Sequence, residues 1–429
     1  MSQLTICLII FVLTVIGYCT NVFSLGTTAI LSLITLSVTG CLASGEALSY
    51  FANANVIMIA GMCIVAAGFN RTQFCAKMAD GISRIAKGSL TKLMLGYVLI
   101  GVLLSQFIQS PVVVFGIVAP MLAASAESMG LKPSKVMFPV GVSTVITCCT
   151  LPLGAGATIS AELNGYIESY GYTTYSVGFL DPMKGRLPLL IIAVLYCAFV
   201  APKFTPNEPV VASSMSMQSS GKKERLAPVQ EYAAIIIFFG DALALMFSRT
   251  LGLASWQITV IGALLMVAFR VLSPKEATSA VPLSMLLLIV GALAMSGALS
   301  ATGAGDMIGN FIANFVTTFG HNNYLIGFIF FVVPFLLTQF MQNRGVMMIF
   351  HPIAIATAAS MQANPVGLVI LIQAACLSAF MTPMATSAIP YIMDYGGYDQ
   401  KTMIKQSLVL CLICCVVSVG WIMTIFPVF

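Results

Sequence analysis

The sequence predicts an all-α integral membrane protein. It would be built from two inverted repeats, with about ten transmembrane helices, two opposed re-entrant hairpins and helices broken at the bilayer midplane. Three observations carry that prediction. Of 429 residues, 59% are hydrophobic and only 8% charged, with a mean hydropathy of +1.00. Apolar runs of spanning length recur along the whole chain, and motifs of the first half return in the second at a nearly constant displacement. Soluble domains carry about a quarter of their residues as charges, so a water-soluble enzyme, a nucleic-acid binder and a disordered regulator are excluded.

A spanning helix needs about 20 mostly apolar residues. Such runs fall at 3–20, 24–43, 53–69, 136–166 and 186–202, and again at 231–249, 254–271, 283–300, 365–392 and 404–427. Two further stretches, 93–129 and 324–361, are long enough to enter the bilayer and return. The first repeat is therefore expected over 1–202, with scaffold spans in 3–69, a hairpin at 93–129 and a broken helix at 136–166. A polar cytoplasmic linker, 203–230, leads to the second repeat over 231–429, with scaffold spans in 231–300, a hairpin at 324–361 and a broken helix at 365–392.

The apolar N-terminus has no basic residue before Arg71 and reads as a retained span rather than a signal peptide. Segment 70–92 sets Phe74, Met78, Ile82 and Ile85 on one face and cations around the other, the pattern of a helix lying along a membrane surface. Segment 303–323 is expected to be its counterpart. The twelve cysteines fall mostly in apolar runs and read as small hydrophobes, with no spacing that suggests a metal site.

Charge placement supports the path. Of 19 Lys and Arg residues, only Lys184, Arg186 and Arg249 fall on the N-terminal side, and Arg344 belongs to neither face. Cytoplasmic loops collect Lys and Arg. The opposite side is then cytoplasmic, both termini face out, and the host bilayer is the cytoplasmic (inner) membrane.

The repeat is legible in four places. Ser105-Gln106-Phe107-Ile108-Gln109-Ser110 matches Thr338-Gln339-Phe340-Met341-Gln342-Asn343; Leu42 and Glu46-Ala47 match Leu272 and Glu276-Ala277; Pro120 pairs with Pro352, and Pro152 with Pro383. With five crossings per half, an odd number, the second copy enters from the opposite side. That arrangement is common among secondary transporters, whose sites lie where helices are interrupted near the midplane.

Two interruptions recur in each half. The first is a polar hairpin tip: Gln106, Gln109, Ser110 and Pro111, then Gln339, Gln342, Asn343, Arg344 and Gly345. Pro111 and Gly345 suit the start of a second arm whose free N–H groups favour an anion. The second is a loop inside the fifth unit, TLPLGAGAT at 150–158 and TPMATSAIP at 382–390. Proline removes a helix donor and Gly154 loosens the first copy, while Thr150, Thr382, Thr386 and Ser387 set hydroxyls beside freed carbonyls, ligands that would suit Na+.

Arg344 is expected to have a partner, since an arginine at the centre of a spanning helix costs about 2.5–3.5 kcal/mol on insertion scales. It can clamp a substrate carboxylate with its planar fork, or pair with Asp241, which lies at similar depth. Asp241 is alternatively a proton-coupling carboxylate. His351 reads as packing, and Glu162 and Asp394 as solvated residues near helix ends.

Several segments together resemble the divalent anion/sodium symporter family and its citrate/arsenite permease-like relatives in the ion transporter superfamily. They are Leu42, Glu46-Ala47 and Phe51 running to Ala67-Gly68 and Arg71-Thr72, then Met129 to Ser134, Leu286 to Gly291, and above all Phe380-Met381-Thr382-Pro383-Met384-Ala385-Thr386. The resemblance implies a homodimer in which a transport domain moves elevator-fashion across a fixed scaffold. It implies a carboxylate held at the tips and second break by Gln109, Ser110, Gln342, Asn343, Thr386 and Ser387, to which Arg344, a departure from the family pattern, is expected to add its clamp. It also implies a coupling cation near Ser110, Thr150, Gly154, Asn343, Thr382 and Thr386. The family's tip triplet is Ser-Asn-Thr, of which only Asn343 is kept here.

The function expected is cation-coupled (Na+ or H+) secondary transport of small carboxylates or divalent organic anions. A cation/proton antiporter or an inorganic oxyanion permease on the same scaffold is the alternative, and an ion channel a further one. An intramembrane enzyme would need a His/Glu or Ser/Lys dyad at useful spacing, which is not found. Besides Na+, no cofactor is expected.

Overall fold

The structure is a computed structural model that describes residues 2–20, 23, 25–69, 71–74, 89–108, 110–211, 226–281, 283–318, 322–339, 342–383, 385–386 and 388–429. Among the described residues it is helical throughout, without strands. The first half supplies α1 (Gln3–Thr20), α2 (Leu25–Val38), α3 (Ser44–Ser49), α4 (Ala54–Phe69), α5 (Leu90–Phe107), α6 (Pro111–Ser128), α7 (Met137–Thr147), α8 (Ile159–Tyr170) and α9 (Asp181–Leu195). The second supplies α10 (Pro228–Met246), α11 (Ser255–Ala268), α12 (Pro274–Ala280), α13 (Leu283–Ala301), α14 (Ala304–Thr318), α15 (Asn323–Leu337), α16 (Asn343–Ser360), α17 (Val366–Leu377), α18 (Ala388–Gly396) and α19 (Gln400–Ile425).

The order of the second set follows that of the first, and so does the packing. Helix α2 lies along α13 and α4 along α11, so in each half one span is buried by a span of the other half. The contacts are close. A Cβ on Gly61 would lie 2.8 Å from the Thr259 backbone, and one on Gly291 2.4 Å from the Ala29 carbonyl oxygen. Glycine at these positions lets the helix backbones approach, as small residues do at membrane helix interfaces.

By length and composition, five described helices can cross a membrane unaided: Ser44–Phe69, Leu90–Phe107, Asp181–Phe204, Pro228–Leu245 and Gln400–Ile425. The expected spans 136–166 and 365–392 are each broken. Helices α7 and α8 have 11 and 12 residues, and α17 and α18 have 12 and 9. At 1.5 Å per residue each arm covers roughly half of a 30 Å hydrocarbon core.

The amphipathic helix expected over 70–92 falls largely on 75–88, outside the described residues. Its counterpart does form, as α14, and packs on α16. The linker is less bare than expected. Lys135 Nζ donates to the Thr205 carbonyl (3.2 Å) and to Asn207 Oδ1 (2.9 Å), and the N–H groups of Val210 and Val211 both bond the Gly397 carbonyl. Its first residues are thus tied to both halves before the chain reaches 212–225.

Candidate functional site

Each hairpin tip meets the break of its own half through a glutamine. Gln106, in the last turn of α5, donates from Nε2 to the carbonyls of Val102 (2.8 Å) and Thr147 (2.9 Å). Its Oε1 accepts the N–H groups of Thr150 (3.1 Å) and Leu151 (2.9 Å). Gln339, just past α15, repeats the pattern. Nε2 donates to the Phe335 carbonyl (3.0 Å) and Oε1 accepts the Met381 N–H (3.0 Å), while the Thr382 hydroxyl donates to the Gln339 carbonyl. Both amides are buried. Breaking a helix in an apolar surrounding orphans backbone groups, and each orphan costs about 1–3 kcal/mol; the glutamines satisfy several of them.

Gly154 explains how tip and break come so close. Its φ is +55°, and a Cβ there would lie 3.0 Å from the Phe107 carbonyl oxygen and 3.4 Å from that of Gln106. Only glycine takes that conformation readily and leaves that space. Cys149 shares the left-handed conformation, with φ +55°.

Arg344 is the second residue of α16, and its partner is not Asp241. Nη1 donates to Glu162 Oε2 of α8 at 2.7 Å. This corrects two expectations at once, because Glu162 is not solvated either: it is only 4% exposed, and its Oε1 has no hydrogen-bond partner among the described residues. The Arg344 side chain keeps 32% of its surface accessible. The pair joins the tip of the second hairpin to the broken helix of the first half. Asp241 is buried elsewhere, in α10, with its carboxylate against Gly262 of α11 and Oδ2 without a partner among the described residues.

Arg186 also departs from expectation. It is 1% exposed instead of lying at the membrane surface. Nη1 donates to the carbonyls of Cys148 (3.0 Å) and Cys149 (3.1 Å), and Nη2 to that of Ile146 (2.8 Å). A guanidinium thus caps the C-terminal end of α7, where carbonyls and the helix dipole favour positive charge. Three carbonyls at the first break, those of Ile146, Cys148 and Cys149, therefore already accept from this guanidinium.

The remaining predicted residues divide as follows. Ser110 is the N-cap of α6 and makes no side-chain cap bond. Asn343 opens α16 and accepts from the Thr338 hydroxyl at 2.8 Å, and Thr150 donates to the Thr147 carbonyl at 2.9 Å. The Thr386 hydroxyl is buried without a partner among the described residues. Gln342 is the N-cap of α16 and is exposed. Gln109 and Ser387 lie outside the described residues. His351 packs as expected, its ring 5.1 Å from that of Tyr166.

A polar cleft of about 560 Å³ lies between α4, α8 and the start of α9. Asn55 and Met58 of α4, Ser160, Ala161 and Asn164 of α8, and Lys184 line it, with Leu245, Thr250 and Ser255 from the second half. Ala161, which precedes Glu162 in the chain, is among its lining residues.

Comparison with known proteins follows from this geometry. Residues 8–377 match the family model described as "Citrate transporter". A Haemophilus influenzae protein described as an uncharacterized transporter is 23% identical over 400 residues, 91% of this chain and 85% of the relative. The Escherichia coli uncharacterized transporter YfbS is 26% identical over 168 residues, 39% of this chain and 27% of its own. Two solved structures share the fold at 14% identity. Neisseria gonorrhoeae MtrF, described among antimetabolite efflux pumps, has a TM-score of 0.62 over 98% of this chain and 94% of its own. The Alcanivorax borkumensis YdaH transporter, described as having an unusual topology, has a TM-score of 0.61 over 99% and 98%.

Proposed function

The chain belongs to the citrate transporter family and is a membrane transporter; on that premise we propose that it carries small carboxylates across the cytoplasmic membrane, with Arg344 as the anchor for the anion. The observation that carries the proposal is the state of that arginine. It sits at the N-terminal end of α16, a third accessible, and among the described residues it is held by one oxygen of one carboxylate. A guanidinium has five donors in a fixed fork, so most of its capacity remains for a planar anion. The first-turn N–H groups of α16 add a favourable dipole.

The substrate class is a mono- or dicarboxylate small enough for the cleft, moved with a cation. Transport is elevator-like. The scaffold is α2, α4, α11 and α13 with their neighbours, and the moving part is the hairpins and broken helices, within a homodimer. The inverted repeat, with both termini outside, is part of this proposal; it is supported by the reciprocal packing of α2 on α13 and α4 on α11.

The test is thermal unfolding of purified protein with succinate, malate, citrate and sulfate. A ligand at a hundred times its Kd stabilises the folded state by about 2.7 kcal/mol. One or more carboxylates should raise the Tm of wild-type protein and leave that of Arg344→Ala unchanged. Equal shifts in both proteins would remove Arg344 from the site. A shift with sulfate alone would replace the carboxylate with an oxyanion.

A further inference from the structure

We propose that Glu162 is the proton carrier of this transporter. It holds Arg344 while the site is empty, gives up the guanidinium to an incoming substrate carboxylate, and takes up a proton as it does so. This rests on the anion-carrier reading above and names its coupling ion.

Glu162 is a buried carboxylate with half of its bonding capacity used. Oε2 accepts from Arg344 at 2.7 Å and Oε1 accepts nothing among the described residues. A substrate carboxylate offers the same chemistry and can use both oxygens, so the two acids compete for one fork. Once displaced, Glu162 would be an unpaired charge 4% exposed among apolar helices. Such a group neutralises instead of remaining ionised. The exchange balances: one carboxylate arrives, Glu162 passes from –COO⁻ to –COOH, and the charge around Arg344 is unchanged.

The groups facing Glu162 fit this role. Helix α16 brings Arg344 and His351, the first break brings Cys149, and Tyr166 lies one turn along its own helix. Helix α4 contributes only Cys63, α13 no titratable residue, and α9 contributes Asp181 and Lys184 at the cleft and the committed Arg186. Asp181, the other carboxylate of this set, already accepts from the Gly178 N–H and pairs with Lys184. A metal ion in the first break would meet the fixed charge of Arg186 on the same carbonyls. A proton needs no such ligands.

The experiment is calorimetric titration of the purified full chain with succinate, malate and citrate, each in Tris and in HEPES at one pH. The difference in heat between the two buffers gives the protons taken up per anion bound. Wild-type protein should take up close to one. Glu162→Gln should bind the same anion at least as tightly, because Arg344 loses its internal competitor, and should take up none; Asp241→Asn and His351→Asn should behave as wild type. Unchanged uptake in Glu162→Gln, or uptake lost in either other variant, overturns the proposal.

Infrared difference spectroscopy of wild-type protein keeps the idea testable if Glu162→Gln does not fold. Anion binding should bring up the carbonyl band of a new carboxylic acid, shifted in Glu162→Asp, and its absence would refute the exchange. If no anion binds wild-type protein, the carrier reading itself fails, and the coupling with it.

Discussion

Two arginines separate what residue chemistry can and cannot reveal before the fold is known. Arg344 was legible, since a charge in the middle of an apolar stretch demands a partner. The partner was not. Depth counted along α10 suggested Asp241, while Glu162 lies 182 residues away in sequence and reaches Arg344 only because the second hairpin packs on α8. Arg186 was misplaced for a simpler reason. Helix α9 starts at Asp181, five residues before the apolar run, so Arg186 lies more than one turn inside.

Both arginines lead to predictions. Removing one partner of a buried ion pair typically costs about 3–5 kcal/mol, because the other charge is left unpaired. Arg344→Ala should therefore lower the Tm, and Arg344→Ala with Glu162→Ala should recover much of the loss without restoring carboxylate binding. If the double variant is no more stable than the single, the pair does not hold the two halves as described. Arg186→Met strips three carbonyls of their donor and should cost on the order of 3 kcal/mol, read as a lower midpoint of thermal unfolding in detergent.

At the scale of elements, the broken helices were readable because proline and glycine punctuate apolar runs in a way that few other patterns do. How the breaks are held was not readable. Gln106 and Gln339 stood out as polar residues in a tip, but nothing in their spacing tells that one amide can serve the hairpin and the break together. Gln106→Leu and Gln339→Leu should each destabilise by about 1–3 kcal/mol, the cost of orphaned backbone groups. Gly154→Ala should be worse for transport than its size suggests. It adds a side chain at φ +55° and 3.0 Å from the Phe107 carbonyl oxygen, and uptake assays should show a loss larger than that for Ala at Gly116, where a Cβ meets nothing within 4 Å.

Across the whole molecule, the halves were visible as matched motifs, and the helices that carry them follow one order in both halves, with two broken helices and a reciprocal packing of α2 on α13 and α4 on α11. The asymmetry between halves was the harder part. Among the described residues, only the first break carries a resident guanidinium, and only the second tip sends an arginine across to the other half. An asymmetric core inside a symmetric frame suits a carrier that holds its anion at one place, and saturable, carrier-mediated flux is what the proposed mechanism predicts.

Counterflow in proteoliposomes tests this most directly. Vesicles loaded with unlabelled carboxylate should accumulate labelled carboxylate transiently and saturably when they contain wild-type protein, and should fail to do so with the same amount of folded Arg344→Ala protein. Flux that rises without saturation, or counterflow that survives loss of Arg344, would contradict the account.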